Sequence, residues 1–158
     1  MKHSETKGAD YSGAAAKIAI VSARFNGEIV DSMRNAAHQT LLENHVDEAN
    51  INHVLVPGAF ELPLACKALA ESKKYHAVIA LGCVIRGDTP HFDYVCSSSA
   101  IGVQRASMDT NIPIAFGVLT TDNSKQALER SSKENIECNK GRDAALCVLE
   151  MINVLKSV

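Results

Sequence analysis

The sequence has neither a long apolar run nor a marked excess of charge of one sign. No stretch reaches the roughly 18 consecutive apolar residues that identify a membrane-spanning helix. Residues 1–7 carry charges with no apolar run behind them, so we expect no secretory signal peptide. The 16 basic and 18 acidic residues are mixed along the chain, which disfavours a polyanionic partner such as nucleic acid. These absences lead us to expect a cytoplasmic protein that binds neither nucleic acid nor membranes.

Several common signatures of catalytic sites are also missing. There is no Gly-x-x-x-x-Gly-Lys-Ser/Thr loop, no Gly-x-Gly-x-x-Gly turn, no Gly-x-Ser-x-Gly elbow and no His-Glu-x-x-His helix. ATP use, hydride transfer, serine hydrolysis and zinc hydrolysis therefore lose support. We expect a functional site that uses neither a metal nor a cofactor.

The five cysteines form no Cys-x-x-Cys pair, and no histidine lies at zinc-finger spacing from them. We interpret them as reduced thiols that pack like small apolar side chains. Cys83 alone lies at the end of a predicted strand, beside the most polar turn of the chain. A packing role is the simpler interpretation, because a nucleophilic role requires a neighbouring base and a lowered pKa.

What the sequence does contain is an alternation of apolar runs and helical segments. At 158 residues the chain suffices for one domain that buries about 70% of its unfolded surface. Residues 1–16 are polar and alanine-rich without a clear period, which predicts a flexible amino-terminal arm before one domain over residues 17–158. Strands are predicted at 17–22, 51–56, 77–85 and 114–119, and helices at about 29–41, 61–72, 93–109, 124–131 and 142–156.

This alternation predicts the α/β class. Right-handed crossovers bring the strands into a parallel sheet with helices on both faces. We therefore expect a flavodoxin-like three-layer αβα sandwich with a four-stranded parallel sheet. In such folds the segments that follow the strands meet at the carboxyl edge of the sheet, where ligands bind. Here these segments cover residues 23–26, 57–61, 86–91 and 120–123.

Five side chains at this edge are candidates for a ligand site, and each has an ordinary structural alternative. Phe25 can stack on a flat ligand or cover the core. Glu61 follows a proline–glycine turn and either contacts a ligand or interacts with a helix dipole. The imidazole of His91 suits proton transfer at neutral pH, or else caps a helix or faces solvent. Asp88 and Thr89 offer capping oxygens in an arrangement that also holds phosphate.

Several segments taken together resemble the 6,7-dimethyl-8-ribityllumazine synthase family. They are Ala-Arg-Phe-Asn at 23–26, Val-Pro-Gly-Ala-Phe-Glu-Leu-Pro at 56–63, Leu-Gly-Cys-Val-Ile-Arg-Gly-Asp-Thr-Pro-His-Phe-Asp at 81–93 and Phe-Gly-Val-Leu-Thr-Thr at 116–121. Asn-Lys-Gly at 139–141 and Leu-Glu-Met-Ile at 149–152 also match. The resemblance spans residues 17–158 in the right order, which makes it far more specific than any single motif.

The resemblance implies a transferase that carries out the penultimate step of riboflavin biosynthesis. The amine of 5-amino-6-(D-ribitylamino)uracil attacks the ketone of 3,4-dihydroxy-2-butanone 4-phosphate. Phosphate is eliminated, and the ring closes with loss of water to give 6,7-dimethyl-8-ribityllumazine. A functional link to riboflavin synthase is expected on the same grounds.

The resemblance also implies roles for individual residues. His91 resembles the proton donor of the family, and Phe25 would stack on the pyrimidine ring. Glu61 would contact the sugar hydroxyls, and Arg130 would bind the phosphate group together with Asp88 and Thr89. The implied substrate-binding residues are Phe25, Ala59, Phe60, Glu61, Cys83, Val84, Ile85, Asp88, Thr89, Phe116, Arg130 and Lys140.

Sites in this family lie between adjacent subunits of a pentameric ring, which implies a homo-oligomer here. Phe116, Arg130 and Lys140 would then reach the site from the neighbouring subunit. Relatives that build sixty-subunit shells have a shorter, glycine-bearing connection in place of residues 131–139. We therefore expect this connection to block packing between pentamers, leaving a pentamer or a pair of pentamers.

Two other functions remain open at this point. The fold class also binds flavin mononucleotide at this edge, so the chain could be a flavin-binding module without turnover. It could also be a regulator or scaffold that kept the fold and lost the chemistry. The joint presence of Phe25, Glu61, His91 and Arg130 argues against that loss.

Overall fold

Strands and helices alternate along residues 8–158, which are the residues that the computed structural model describes. The regular elements are β1 (Ile18–Ala23), α1 (Gly27–Glu43), β2 (Ile51–Val56), α2 (Leu62–Glu71), β3 (Ala77–Ile85), α3 (His91–Thr110), β4 (Ile114–Thr121), α4 (Ser124–Arg130) and α5 (Lys140–Lys156). Short 3₁₀ turns cover Glu48–Asn50, Ala59–Glu61 and Ile136–Cys138. None of the helices in this range is long and apolar enough to cross a membrane.

The four strands form one parallel sheet in the order β2-β1-β3-β4. β1 is paired on both sides, with Ile18 opposite Ile51 of β2 and Ala77 of β3. Every residue of β1 is buried, as expected for a central strand covered on both faces. The predicted α/β fold with a four-stranded parallel sheet between helices is therefore confirmed.

The core is divided by the sheet into two halves. Successive side chains of β1 point to opposite faces, because strand side chains alternate. Ile18 and Ile20 pack into a cluster with α1, α4 and α5. Ala19 and Val21 pack on the other face with α2 and α3. Burial of each large aliphatic side chain contributes about 1.5–3 kcal/mol of transfer free energy, so both layers hold the strand ends in fixed relative positions.

Two close contacts between helices depend on glycine. A Cβ atom at Gly102 in α3 would lie 2.7 Å from Cβ of Pro63 in α2. At Gly141, near the start of α5, a Cβ atom would overlap the backbone carbonyl of Met33 in α1. The absence of a side chain at these positions lets α3 pack closely on α2 and lets α5 start against α1.

The segment before β1 contacts the carboxyl-terminal half of the chain. The Asn153 side-chain amide donates to the carbonyls of Asp10, at 2.9 Å, and Ser12, at 3.1 Å. The Gly13 N–H donates to the Asn44 carbonyl at 2.8 Å. Residues 1–7 of the predicted arm lie outside the described residues, and the flexibility of residues 1–16 stays a prediction.

Most element boundaries differ from the sequence-based ones by one or two residues. Among the strands, the largest extension is at β4, which runs to Thr121 because it pairs with β3 up to Ile85. His45 follows α1 in a turn with a φ of 71°. Helix α3 begins at His91 rather than at Asp93, which makes His91 its first residue.

Candidate active site

The segments that follow β1, β2 and β3 enclose a pocket of about 640 Å³ at the carboxyl edge of the sheet. We call it the loop pocket. Among the residues predicted for the site, its lining includes Phe25, Ala59, Phe60, Glu61, Cys83, Val84, Ile85, Thr89 and His91. Asp88 is exposed and is not part of this lining. The structure thus brings aromatic, carboxylate, hydroxyl and imidazole groups from three different segments into one cavity.

Phe25 is held at the mouth of the loop pocket by its backbone. Its N–H donates to the Pro57 carbonyl at 3.1 Å, which extends the pairing of β1 and β2. Asn26 follows with a φ of 56°, a left-handed conformation that asparagine tolerates. The Asn26 side-chain amide donates to the Cys83 carbonyl at 2.9 Å and ties the turn to β3. Phe25 is 70% exposed, which leaves its side chain accessible for stacking on a flat ligand.

Glu61 lies at the end of the 3₁₀ turn that precedes α2. The Glu61 N–H donates to the Gly58 carbonyl at 3.2 Å. A Cβ atom on Gly58 would be 3.2 Å from Oε2 of Glu61, so glycine leaves room for the carboxylate above the backbone. Ser99 of α3 is buried and donates through its hydroxyl to the Ala59 carbonyl at 2.9 Å. The turn is therefore anchored to α3, and the carboxylate is directed towards the pocket.

His91 lies at the amino end of α3. Its backbone N–H donates to the Thr89 hydroxyl over a long 3.5 Å. The side chain is exposed, and among residues 8–158 no partner within hydrogen-bond distance of the imidazole is found. The imidazole can therefore exchange protons with a ligand in the loop pocket.

Cys83 contributes to the wall of the loop pocket but not to a reactive centre. Burial raises the pKa of its thiol to about 11, so the thiol is protonated at neutral pH and is a poor nucleophile. This supports the packing interpretation. Within the described part of the chain, no group of three or more His, Cys, Asp or Glu side chains is arranged to hold a metal ion.

Phe116, Arg130 and Lys140 line a second pocket, of about 490 Å³, between the edge strand β4 and helices α4 and α5. We call it the edge pocket. It shares no lining residue with the loop pocket. Arg130 donates from Nη1 to the Gln126 carbonyl at 3.1 Å, and its side chain also lines the cavity. The predicted site residues thus fall into two groups on one subunit rather than into one.

Lys140 and Asp143 form the polar wall of the edge pocket. Nζ of Lys140 donates to Oδ2 of Asp143 at 2.6 Å. Oδ1 of Asp143 is buried and accepts no hydrogen bond from residues 8–158, and it lies 3.9 Å from Nη1 of Arg142. The buried Asn139 caps α5 by accepting a hydrogen bond from the Gly141 N–H at 2.9 Å. This network fixes the start of α5, and with it the position of the Lys140 cation.

Tyr94 and Asp143 line these pockets but are not among the site residues predicted from the sequence. Tyr94 lines the loop pocket and follows His91 by three residues, so it lies one helical turn further along α3. Asp143 lines the edge pocket at the same spacing from Lys140. In both cases the residue lies one helical turn from a predicted site residue, but the sequence-based start of the helix is two residues later than the observed one.

Comparison with known families agrees with the fold and with the residues at the carboxyl edge. The family model described as 6,7-dimethyl-8-ribityllumazine synthase matches residues 15–156, which is nearly the whole chain. The matched range contains both pockets and every predicted site residue. On this match, the chain belongs to the 6,7-dimethyl-8-ribityllumazine synthase family, a family of transferase-type enzymes of riboflavin biosynthesis.

Proposed function

We propose that this protein condenses 5-amino-6-(D-ribitylamino)uracil with 3,4-dihydroxy-2-butanone 4-phosphate. The products are 6,7-dimethyl-8-ribityllumazine, phosphate and water. The observation that carries this proposal is the loop pocket, where Phe25, Glu61 and His91 meet in a chain that belongs to the lumazine synthase family. The reaction requires proton transfer and substrate orientation, which these side chain types can provide.

The steps balance without an oxidant or reductant. The 5-amino group attacks the ketone carbon, and loss of water gives an imine. The neighbouring carbon then loses a proton, and its electron pair expels phosphate from the adjacent carbon. The resulting enol gains a proton to become a ketone, which the ribityl-bearing nitrogen attacks. This attack closes the ring, and loss of a second water gives the product.

The loop pocket would bind the pyrimidine substrate. Phe25 stacks on the ring, and the carboxylate of Glu61 accepts hydrogen bonds from ribityl hydroxyls. Ala59, Phe60 and the stretch 83–85 shape the wall against which the ring and its ribityl chain lie. His91 donates and accepts protons during imine formation and phosphate loss. Because the substrates are intrinsically reactive, orientation of the amine against the ketone supplies most of the rate gain.

The edge pocket would bind the phosphate substrate. Arg130 has a planar guanidinium that suits a phosphate dianion, and the Lys140 cation lies in the same cavity. Phe116 contributes an aromatic wall beside them. Asp88 and Thr89 complete the phosphate subsite from the loop side, where Thr89 lines the loop pocket.

We propose that a complete site forms between two subunits of a homo-oligomer. The separation of the two pockets on one chain supports this, because one subunit does not bring Arg130 and Lys140 into the cavity of His91. Exposed apolar side chains support it as well. Tyr94, Ile101 and Met108 recur every seven residues along α3, and each is at least 67% exposed. An exposed apolar stripe along a helix favours burial against another protein surface.

The oligomer is a ring of five subunits, with residues 17–158 as the catalytic domain and residues 1–16 as an arm. Residues 131–139 connect α4 to α5. The connection ends at Asn139, whose side-chain amide donates to the Ser132 carbonyl at 3.0 Å. It also contains the 3₁₀ turn at Ile136–Cys138. We expect this exposed connection to prevent packing of pentamers into a shell, and sedimentation of the purified protein measures the particle size.

The direct test is to mix the purified protein with both substrates and to follow the green fluorescence of the lumazine product together with phosphate release. Phosphate and product should appear in equal amounts, and neither should form when one substrate is omitted. A protein that carries bound flavin but forms no product would support the flavin-binding alternative. Loss of product formation in subunits that have been dissociated and remain folded is expected if the site is shared.

A further inference from the structure

Arg86 connects three segments around the loop pocket without being part of its lining. It follows β3, and its N–H continues the pairing with β4 by donating to the Thr121 carbonyl at 2.9 Å. Its Nε donates to Oδ1 of Asp122 at 3.0 Å, and its Nη1 donates to Oδ1 of Asp93 at 3.3 Å. Its guanidinium carbon lies 4.3 Å from the centre of the Phe92 ring. One side chain thus joins the end of β3, the first turn of α3 and the segment before α4.

Two of these contacts are with the residues that follow His91 directly in the sequence. His91 is the first residue of α3, and the next two residues, Phe92 and Asp93, are the ones that Arg86 contacts. The imidazole itself has no hydrogen-bond partner in residues 8–158, and its backbone N–H makes only the 3.5 Å contact to Thr89. The direction of the His91 side chain therefore depends on where the first turn of α3 is held.

The Arg86 contacts are poorly explained as a contribution to stability. The Arg86 side chain is 44% exposed, and its partners Asp93 and Asp122 are 59% and 66% exposed. Ion pairs at such exposed positions stabilise folded proteins little. Placement of a reacting group is far more sensitive, because a displacement of about 1 Å can cost about 100-fold in rate. The geometry thus favours a role in placement over a role in folding.

We propose that Arg86 is a positioning residue for the condensation, acting through His91. It holds the first turn of α3 by its contacts with Phe92 and Asp93, and it fixes this turn relative to Asp122. Asp122 in turn precedes α4, and its N–H donates to Oε1 of Gln126 at 2.8 Å. This inference rests on the proposed function, because it assigns His91 the proton transfer.

The test compares Arg86→Ala and Arg86→Lys with Arg34→Ala in the full-length protein. Arg34 is a matched control on α1, where it pairs with Asp31 at 3.0 Å and lies outside both pockets. We expect Arg86→Ala to lower kcat about 10-fold, with both KM values and the Tm little changed. Arg86→Lys should recover part of the loss, because lysine keeps the charge but not the two-pronged geometry.

The decisive comparison is made in a His91→Ala background. If Arg86 acts through His91, Arg86→Ala lowers kcat there by less than about 2-fold, since the effects of coupled residues do not add. An equal loss in both backgrounds, or unchanged kcat in the single variant, overturns the inference. Should Arg86→Ala fail to fold, Asp122→Asn removes one of the anchoring charges with little change in shape. It should lower kcat with His91 present and not without it.

Failure of the proposed function gives a different result. In that case the wild-type protein and Arg34→Ala both form no lumazine from the two substrates, and the inference about catalysis falls with the function. When both are active and Arg86→Ala equals them, only the inference about Arg86 is overturned.

Discussion

The two pockets differ in how far a single chain completes them. In the loop pocket the residues Phe25 and Phe60, which project from turns, are 70% and 59% exposed. In the edge pocket the side chains of Lys140 and Asp143 are only 25% and 14% exposed. Hydrogen bonds from Asn139 and Lys140 fix the start of α5 there. The loop pocket thus presents exposed aromatic residues, whereas the edge pocket contains a pair of charged side chains that is already ordered.

This difference indicates which region gains more from association. Exposed aromatic rings gain free energy when another surface or a ligand covers them. A preordered cationic wall needs little rearrangement to bind a phosphate group, so less binding free energy is lost in ordering side chains. We infer that the edge pocket of one subunit supplies a preordered phosphate site to the loop pocket of the next. Substitutions in each pocket separate the contribution of the edge pocket from that of the loop pocket.

The largest effect is expected from Arg130→Ala in the edge pocket. Loss of charge-assisted hydrogen bonds should raise the KM of the butanone phosphate about 10- to 100-fold. The KM of the pyrimidine and kcat should change much less. Steady-state kinetics with each substrate varied in turn provide the measurement. Lys133→Ala, which removes an exposed cation from the adjoining connection, is the control. A uniform loss for both substrates would contradict the separation of roles.

A change in the loop pocket should act on turnover instead. His91→Ala is expected to lower kcat by about 100-fold at most, because orientation persists when the proton donor is removed. Neither KM should rise as it does in Arg130→Ala. Single-turnover kinetics distinguish slower chemistry from slower product release. A completely inactive His91→Ala protein with intact binding would show that proton transfer, not orientation, dominates the rate.

Mixing the two variants tests whether the pockets of adjacent subunits combine. His91→Ala and Arg130→Ala subunits, unfolded together and refolded at equal amounts, should form mixed rings. About a quarter of their sites then combine an intact loop pocket with an intact edge pocket. Activity under low phosphate substrate should exceed the mean of the two separate proteins. If both pockets served the same subunit, every site would carry one defect and mixing would restore nothing.

Glycine substitutions compare the packing of the two regions. Gly141→Ala should lower stability by about 1–3 kcal/mol, because the added methyl group collides with the Met33 carbonyl and forces α5 away from α1. Gly27→Ala, at the first residue of α1 beside the Phe25 turn, meets no atom within 4 Å and serves as the control. Thermal unfolding of both variants provides the measurement. Equal Tm values would contradict the tight packing of α5 against α1 at Gly141.

The smallest effect is expected outside both pockets, at the exposed edge strand β2. His53 hydrogen-bonds His38 at 2.9 Å. Burial, with the neighbouring charges of His38 and Arg34, lowers the pKa of the His53 imidazole below 6.5. Because the folded state then binds fewer protons than the unfolded state, stability is present above pH 6.5 and is lost as the pH falls.

His53→Gln should therefore reduce the fall in Tm between pH 7.5 and pH 5.5. His45→Asn is the control, since asparagine tolerates the left-handed backbone at that position. Kinetic constants at pH 7.5 should be the same in both variants as in the wild type. An unchanged pH dependence of Tm in His53→Gln would assign the loss of stability to other groups.

The sheet was predictable because its strands carry strong local signals. The run at 77–85 is apolar over its whole length, and a strand buried on both faces requires this. The start of α3 was less predictable. Pro90 and the polar residues before it are typical of a loop, yet Pro90 already has a helical backbone conformation and α3 begins directly after it at His91.

The composition of the loop pocket also followed from sequence, since the segments after parallel strands must meet at one edge. The long-range hydrogen bonds that hold the segments of the pocket together could not be predicted from the sequence. The link from Asn26 to the Cys83 carbonyl joins residues 57 positions apart, and the link from Arg86 to Asp122 spans 36 positions. No local pattern encodes such pairs, because they arise only once the sheet fixes the distance between the strand ends.

The placement of the two pockets on different parts of one subunit has a consequence for symmetry. Contacts that join one kind of surface to another are head-to-tail, and they either close into a cycle or continue as a filament. In a closed ring every loop pocket meets the edge pocket of a neighbouring subunit. The number of complete active sites then equals the number of subunits. An open row of subunits would leave a loop pocket without a partner at one end and an edge pocket without a partner at the other. Closure into a ring therefore lets every subunit take part in a complete active site.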